Sequence, residues 1–381
     1  MRGMIRRASL RPVPPVMMLG RTMAGAWSRM NFASDNVVGA SAPILEAIVR
    51  HNGGAMPAYG ADPLTLGLTP RFRTLFDHAD LAVFPVATGT AANALALSVM
   101  VPPFGLCVCH EEAHVMEDEC GAPEFYTHGA KLHGLPGAGG KIAAETLGHF
   151  LSGLTRHVKQ MPPRALTLSQ LTESGQVYTV EEISALARIA HDHGLTVHMD
   201  GARFANALQA LGCSPAEMTW RAGIDVLSFG ASKNGALAAE AILVFRPDLA
   251  ETLEFRRKRA GHILSKGRFL AAQLDAYLDG DHWLANAAHA NRMAARLAAG
   301  LSDVPGVRLA WPVRGNELFP ILPAGLDAAL RRGGAVYYDW TSRSLPAGET
   351  VREGERMIRL ITAFSTTEAE VEEFLGLARR A

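Results

Sequence analysis

Residues 195–203 read LTVHMDGAR, and the reading of this stretch decides the fold. Leu195, Val197 and Met199 alternate as side chains do along a strand, and the run ends on Asp200. Before it lies VEEISALARIAHDHG (180–194). There Val180, Ile183, Leu186, Ala187 and Ala190 make one apolar helical stripe, and Gly194 is placed as a stop. RALTLSQ (164–170) precedes that helix and reads as another strand. After it, GIDVLSFGASKNG (223–235) gives a strand over 224–229 and a Gly/Ser turn that carries Lys233. Strand–helix alternation of this kind predicts an α/β fold, a mostly parallel sheet flanked by helices on both faces.

A further unit of the same type stands upstream. LAVFPVATGTAANALALSVM (81–100) is a β-rich run, a turn holding Thr88, Gly89 and Thr90, and an Ala/Leu helix. A small-residue turn that opens a helix offers unpaired N–H groups and the positive end of the helix dipole, which suits a phosphate. In open α/β sheets ligands bind beyond the carboxyl ends of the strands. Asp200, Lys233 and the 88–90 turn are all expected at that edge, and their convergence says more than any one of them. After about residue 260 the pattern changes to Ala/Leu/Arg helices over 263–278 and 282–301. Short β-like runs follow at 306–311, 335–340 and 357–364. The expected organisation is a large domain over 30–260 with an N-terminal arm, then a smaller α+β domain over 261–381.

Bulk properties narrow the function. Lys and Arg total 37, as do Asp and Glu, so the formal net charge is zero. That balance argues against nucleic acid and against a charged membrane surface as partners. No apolar run approaches the roughly 20 residues that cross a bilayer. The four cysteines (Cys107, Cys109, Cys120 and Cys213) make neither a CxxC pair nor an evenly spaced framework. Reduced thiols in a cytoplasmic protein are the expectation. Residues 1–29 carry six arginines and no acid, the first carboxylate being Asp35. They are expected to be a disordered extension before a true start at Met30; a transit peptide is the other reading.

A lysine on a turn at a sheet's carboxyl edge can form a Schiff base when partly desolvated. A carboxylate on the neighbouring strand end can pair with a pyridinium nitrogen. Lys233, Asp200 and the N–H-rich cradle at Thr88–Thr90 together supply what pyridoxal 5'-phosphate requires of a protein. Taken singly, each has a plain structural explanation: a surface lysine, a helix cap, a tight turn.

The residues then show a specific likeness. FASDN (32–36), AYGAD (58–62), TGTAANALALS (88–98), EEAHVMEDECGAPEF (111–125), HMDGARFANA (198–207) and SFGASKNG (228–235) carry it. On them the chain resembles the fold-type-I pyridoxal-phosphate enzymes, and within these the low-specificity L-threonine aldolases, phenylserine-aldolase-like members included. The likeness runs from about Phe32 to the C-terminus.

It implies retro-aldol cleavage of L-threonine, L-allo-threonine or phenylserine-like β-hydroxy-α-amino acids to glycine and an aldehyde. It also implies a role for each of several residues. Lys233 would form the Schiff base, Asp200 would bind the ring nitrogen and Arg203 the ring's 3-oxygen. Gly89 and Thr90 would hold the phosphate, with Lys266 adding a contact across a subunit boundary. His114 would stack on the ring near the substrate hydroxyl and act as general base. Ser34 and Arg359 would grip the substrate carboxylate, with Tyr59 lining the site. A homodimer or homotetramer with shared active sites is implied as well. One departure stands out: many threonine aldolases carry a Thr-His-Asn segment after the middle strand, where this chain has LSQLTESGQVY (168–178) with Thr172 and Glu173.

HEEAH (110–114) also fits the zinc-hydrolase pattern His-Glu-x-x-His, which needs both imidazoles on one helix face. LCVC (106–109) is β-like, so the motif is expected to begin at a strand end, with no metal bound. A different pyridoxal-phosphate lyase or a transaminase is the nearer rival, since it would keep Lys233 and Asp200 and break another bond.

Overall fold

The computed structural model describes residues 30–155 and 157–381; the extension read at 1–29 lies outside the described residues. Seven strands form the large sheet: β1 (Ala82–Val86), β2 (Leu106–His110), β3 (Lys131–Leu135), β4 (Pro163–Ser169), β5 (Thr196–Gly201), β6 (Val226–Gly230) and β7 (Glu240–Val244). They lie in the order β1-β7-β6-β5-β4-β2-β3. Only β7 runs against its neighbours; β2 to β6 pair in parallel.

Every residue of β2, β6 and β7 is buried, as expected of strands covered on both faces. Alternation sorts the side chains. Leu227, Phe229 and Leu243 enter one core, while Val226, Ile242 and Val244 enter the other. Phe229 is the hub of the first, with ring centroids of Phe72 at 5.3 Å, Trp283 at 5.6 Å and Phe204 at 5.7 Å. Burying a ring of that size contributes about 1.5–3 kcal/mol.

Local signals set the turns that place the site. Helix Val180–Asp192 begins at a capping box between Thr179 and Glu182. It ends where Gly194 takes φ +76°, a conformation that costs glycine little, so that Leu195 enters β5 directly. Farther on, a Cβ at Gly230 would overlap the Ala202 backbone. The absence of a side chain there lets the ends of β5 and β6 close together, bringing the turns after Asp200 and before Lys233 into contact.

A smaller antiparallel sheet is built from β8 (Arg308–Leu309), β9 (Glu317–Leu318), β10 (Pro320–Pro323), β11 (Tyr338–Asp339) and β12 (Glu355–Ile361). The β-like run at 306–311 thus keeps two paired residues, and that at 335–340 keeps Tyr338–Asp339 and a separate bridge from Val336 to Asn31. Met30 and Phe32 pack into this sheet's core, and the Ile361 N–H donates to Phe32 O at 2.8 Å.

The helix expected from 263 starts later, at Arg268–Leu278. Ser265 gives its carbonyl to the Tyr59 N–H, which docks 263–267 as a loop against residues 59–60. That helix shares the core of the large sheet, as does the next, His282–Ser302, up to Ala287. From Met293 onward the latter packs on the small sheet. The change of company therefore falls inside one helix, later than the compositional change near 260.

Candidate active site

The strands β1, β2, β4, β5 and β6 all end at one edge, and the antiparallel β7 starts there. A cavity of about 350 Å³ opens at that edge, lined by Thr88, Gly89, Thr90, Asn93, His114, Asp200, Arg203, Lys233 and Glu240 among others. A larger cavity, about 660 Å³, lies beside the amino end of β4 between Phe104 and His193. It holds none of these groups.

Thr88 caps helix Gly89–Met100 by accepting the Ala91 N–H on its hydroxyl. The first N–H groups of a helix have no partner within it, so Gly89 and Thr90 present theirs where the cavity is lined. The space where a Cβ of Gly89 would project is empty to 4 Å. A phosphate fits this cradle.

Asp200, at the end of β5, is buried. Its Oδ1 accepts the Ala202 N–H at 3.0 Å and its Oδ2 accepts Asn93 Nδ2 at 2.8 Å. The same Asn93 nitrogen donates to Glu119 Oε1 at 2.8 Å, and that oxygen lies 2.9 Å from His114 Nδ1. The bond to Glu119 raises the His114 pKa above its ordinary value, outweighing the opposing effect of burial. Burial likewise pushes Glu119 up, against the pull of His114 and Asn93. Lys233 lies in the 3₁₀ turn Ser232–Asn234, which follows β6. Glu240 opens β7 and accepts the Ala231 N–H at 2.7 Å, and burial pushes its carboxyl up to about 7.

Arg203 is held rigidly: Nε and Nη2 bind Asp35 at 2.7 and 3.0 Å, and Nη2 also meets Glu317 at 3.2 Å, leaving Nη1 outside both pairs. Burial opposes the ionisation of Asp35, yet the charges of Arg203 and Lys233 hold it below the usual carboxylate value. Arg359 lies near this cluster. Its Nη2 donates to Ala33 O at 3.2 Å and its guanidinium sits 4.4 Å over the Trp340 ring. Ser34, the next residue, turns its hydroxyl to the Asn36 N–H and does not line the cavity, whereas Asn36 does.

The structure thus brings together Gly89, Thr90, His114, Asp200, Arg203 and Lys233, with Arg359 near Ser34 beside them. Two residues stand apart. Tyr59, with φ +58°, is exposed under the Lys258 ammonium, and its N–H reaches Ser265, the neighbour of Lys266. This pair of loops borders a different hollow from the one that holds Lys233.

HEEAH does not form a helical pair. His110 ends β2 with both ring nitrogens engaged, by Gly137 O and the Glu112 N–H, while His114 opens the short helix His114–Glu117. Among the described residues, the ligand-type group with metal spacing is His114, Glu119 and Asp200, and Asn93 ties its two carboxylates together.

Asp35, Asn93, Glu119, Glu240 and Glu317 were not given these roles from sequence. A signal exists for one: Asn93 is the one amide side chain in GTAANALALSVM, flanked on both sides by alanine.

A family model described as beta-eliminating lyase matches residues 31–320. A low specificity L-threonine aldolase of Pseudomonas aeruginosa is 44% identical over 339 residues, 87% of this chain and 97% of that protein. One from another Pseudomonas strain is 41% identical over 343 residues, 90% of this chain and 95% of its relative. Among solved structures, a threonine aldolase of Leishmania major superposes with a TM-score of 0.83 at 28% identity, covering 92% of this chain and 99% of that one.

Proposed function

The chain belongs to the beta-eliminating lyases and, within them, to the low-specificity L-threonine aldolases, and from that premise we propose how its residues carry the reaction. It is a carbon–carbon lyase that cleaves β-hydroxy-α-amino acids to glycine and an aldehyde. The proposed cofactor is pyridoxal 5'-phosphate. The single observation that carries this reading is that Lys233, Asp200 and the Gly89–Thr90 cradle line one cavity.

When bound, that cofactor supplies an electron-poor ring that accepts the electron pair of the breaking Cα–Cβ bond. The rest of the reaction falls to the protein. Lys233 provides the amine for covalent attachment, and Asp200 pairs with the ring nitrogen, steadied by Ala202 and Asn93. Gly89 and Thr90 donate to the phosphate. Arg203 offers its Nη1 to the ring's 3-oxygen.

Arg359 binds the substrate carboxylate by the fork geometry of a guanidinium, with Ser34 beside it, and so fixes which Cα bond stands ready to break. His114 accepts the β-hydroxyl proton on Nε2, because Nδ1 is occupied by Glu119. Lys266 and Tyr59 reach the active site of a neighbouring subunit in a homodimer or homotetramer. In support, their loops border a separate hollow, and Leu45, Val49, Leu237 and Leu264 are exposed apolar side chains. A cytoplasmic location goes with this reading, and no described helix is long and apolar enough to cross a membrane.

The family description gives a β-elimination some standing as a second reading. Product analysis with phenylserine separates the two. Equal amounts of glycine and benzaldehyde support aldol cleavage; ammonia with a keto acid would show that the other bond breaks.

A further inference from the structure

Glu317 is a buried acid that the reaction as described does not use. It stands opposite Ile361 in the β9–β12 pair, two positions from Arg359 and therefore on the same face of the sheet. Its side chain is 1% exposed, Oε1 lies 3.2 Å from Arg203 Nη2, and Oε2 has no hydrogen-bond partner among the described residues. Arg359 Nε is buried and likewise without a partner among the described residues. The cluster holds two guanidinium groups, Arg203 and Arg359, against two buried carboxyls, Asp35 and Glu317.

Asp35 is committed. It takes two bonds from Arg203 and a third from Asn316 Nδ2 at 3.1 Å. Glu317 has one contact and one idle oxygen. A substrate carboxylate arriving at Arg359 would add negative charge beside an acid with little to hold it ionised.

We propose that Glu317 is a positioning residue that balances Arg359 in the substrate-free site and takes up one proton from solvent when an α-carboxylate binds there. The inference rests on Arg359 as the carboxylate anchor of the proposed aldolase. No covalent bond changes: a carboxylate becomes a carboxylic acid.

The charged groups facing Glu317 come from every element around it. Arg203 precedes helix Phe204–Leu211, Asp35 opens the 3₁₀ turn Asp35–Val37, Arg359 lies on β12 and Glu173 on the loop after β4. Burial pushes Glu317 up to about 7, with Arg203 and Arg359 pulling down and Asp35 and Glu173 pushing up. An acid so placed is part-ionised near neutrality, and a new negative neighbour drives it to the protonated form. The sign follows. Substrate binds more tightly below the substrate-free pKa, where Glu317 is already protonated, and more weakly above it, where a proton must be taken up.

The experiment is calorimetric titration of the holoenzyme with glycine at pH 7.5, in buffers of different ionisation enthalpy, for the wild type and Glu317→Gln. The wild type is expected to take up more protons per glycine than the variant, by up to about three-quarters of a proton, the ionised share of Glu317 half a pH unit above about 7. The rise of KM for phenylserine across about pH 7 to 8.5 should flatten in the variant while the pH profile of kcat keeps its shape. Equal proton numbers in the two proteins overturn the proposal. Should the variant not fold, the wild type decides alone: uptake must fade below about pH 6, and uptake that stays constant through the range also overturns it. Failure of the aldolase reading looks different, since then no benzaldehyde is released by the wild type.

Discussion

Glu119 Oε1 lies 2.9 Å from His114 Nδ1, and this contact fixes which ring nitrogen remains for chemistry. It also raises the His114 pKa. A base with a raised pKa is protonated over more of the acid range, so kcat/KM should climb with pH through a value above the ordinary 6.5 of histidine. Glu119→Gln removes the charge while keeping the size. Its acid limb is expected to move to lower pH, because the hydrogen bond that raises the His114 pKa is weakened. A pH–rate profile of both proteins checks this, and an unmoved limb removes His114 as the titrating base.

Asn93 ties that histidine to the cofactor end of the site. One amide nitrogen donates to both Glu119 and Asp200, so Asn93→Leu strips a donor from two buried carboxylates at once. Loss of such bonds costs about 1–3 kcal/mol each. Pyridoxal phosphate is expected to bind the variant apoenzyme at least about tenfold more weakly, at about 1.4 kcal/mol per tenfold. Titration followed by absorbance measures it.

Arg359 leans on Trp340 at 4.4 Å, which sets the plane of its guanidinium. A lysine there keeps the charge and loses the fork. Arg359→Lys should raise KM for phenylserine by about tenfold or more and lower kcat less, as expected when a carboxylate anchor becomes a point charge. Steady-state kinetics decide.

The subunit arrangement can be tested by complementation. Lys233→Ala and Lys266→Ala remove groups assigned to opposite sides of a shared site. Mixed after denaturation and refolding, the two impaired proteins should exceed the average of their separate activities by up to about a quarter of wild-type activity, because half of randomly paired dimers carry one intact site. No regain would place Lys266 outside its neighbour's site.

Much of the frame was legible in the sequence because it is local. Val197 and Met199 alternate with His198 and Asp200 along β5, Gly194 ends the helix before it, and Lys233 follows β6 in a short turn. Each depends on neighbours a few residues away. The buried polar network was not legible, because its partners are far apart in the chain: Asp35 meets Arg203 across 168 positions and Asn93 meets Asp200 across 107. No periodicity marks such pairs. The loop at 263–267 misled for a related reason. Its composition suits a helix, yet the Ser265 carbonyl is taken by Tyr59, a contact from another part of the fold. HEEAH was readable for the same local reason as β5: the β-like LCVC run before it predicts a strand end, and β2 does end at His110 before the helix that His114 begins.

The most direct measurement is borohydride reduction of the protein after incubation with pyridoxal phosphate, followed by peptide mapping. The account predicts one phosphopyridoxyl group per chain on the peptide containing SKNG, at Lys233, and none there in Lys233→Ala. A label at another lysine, or no visible absorbance and no label, would contradict it.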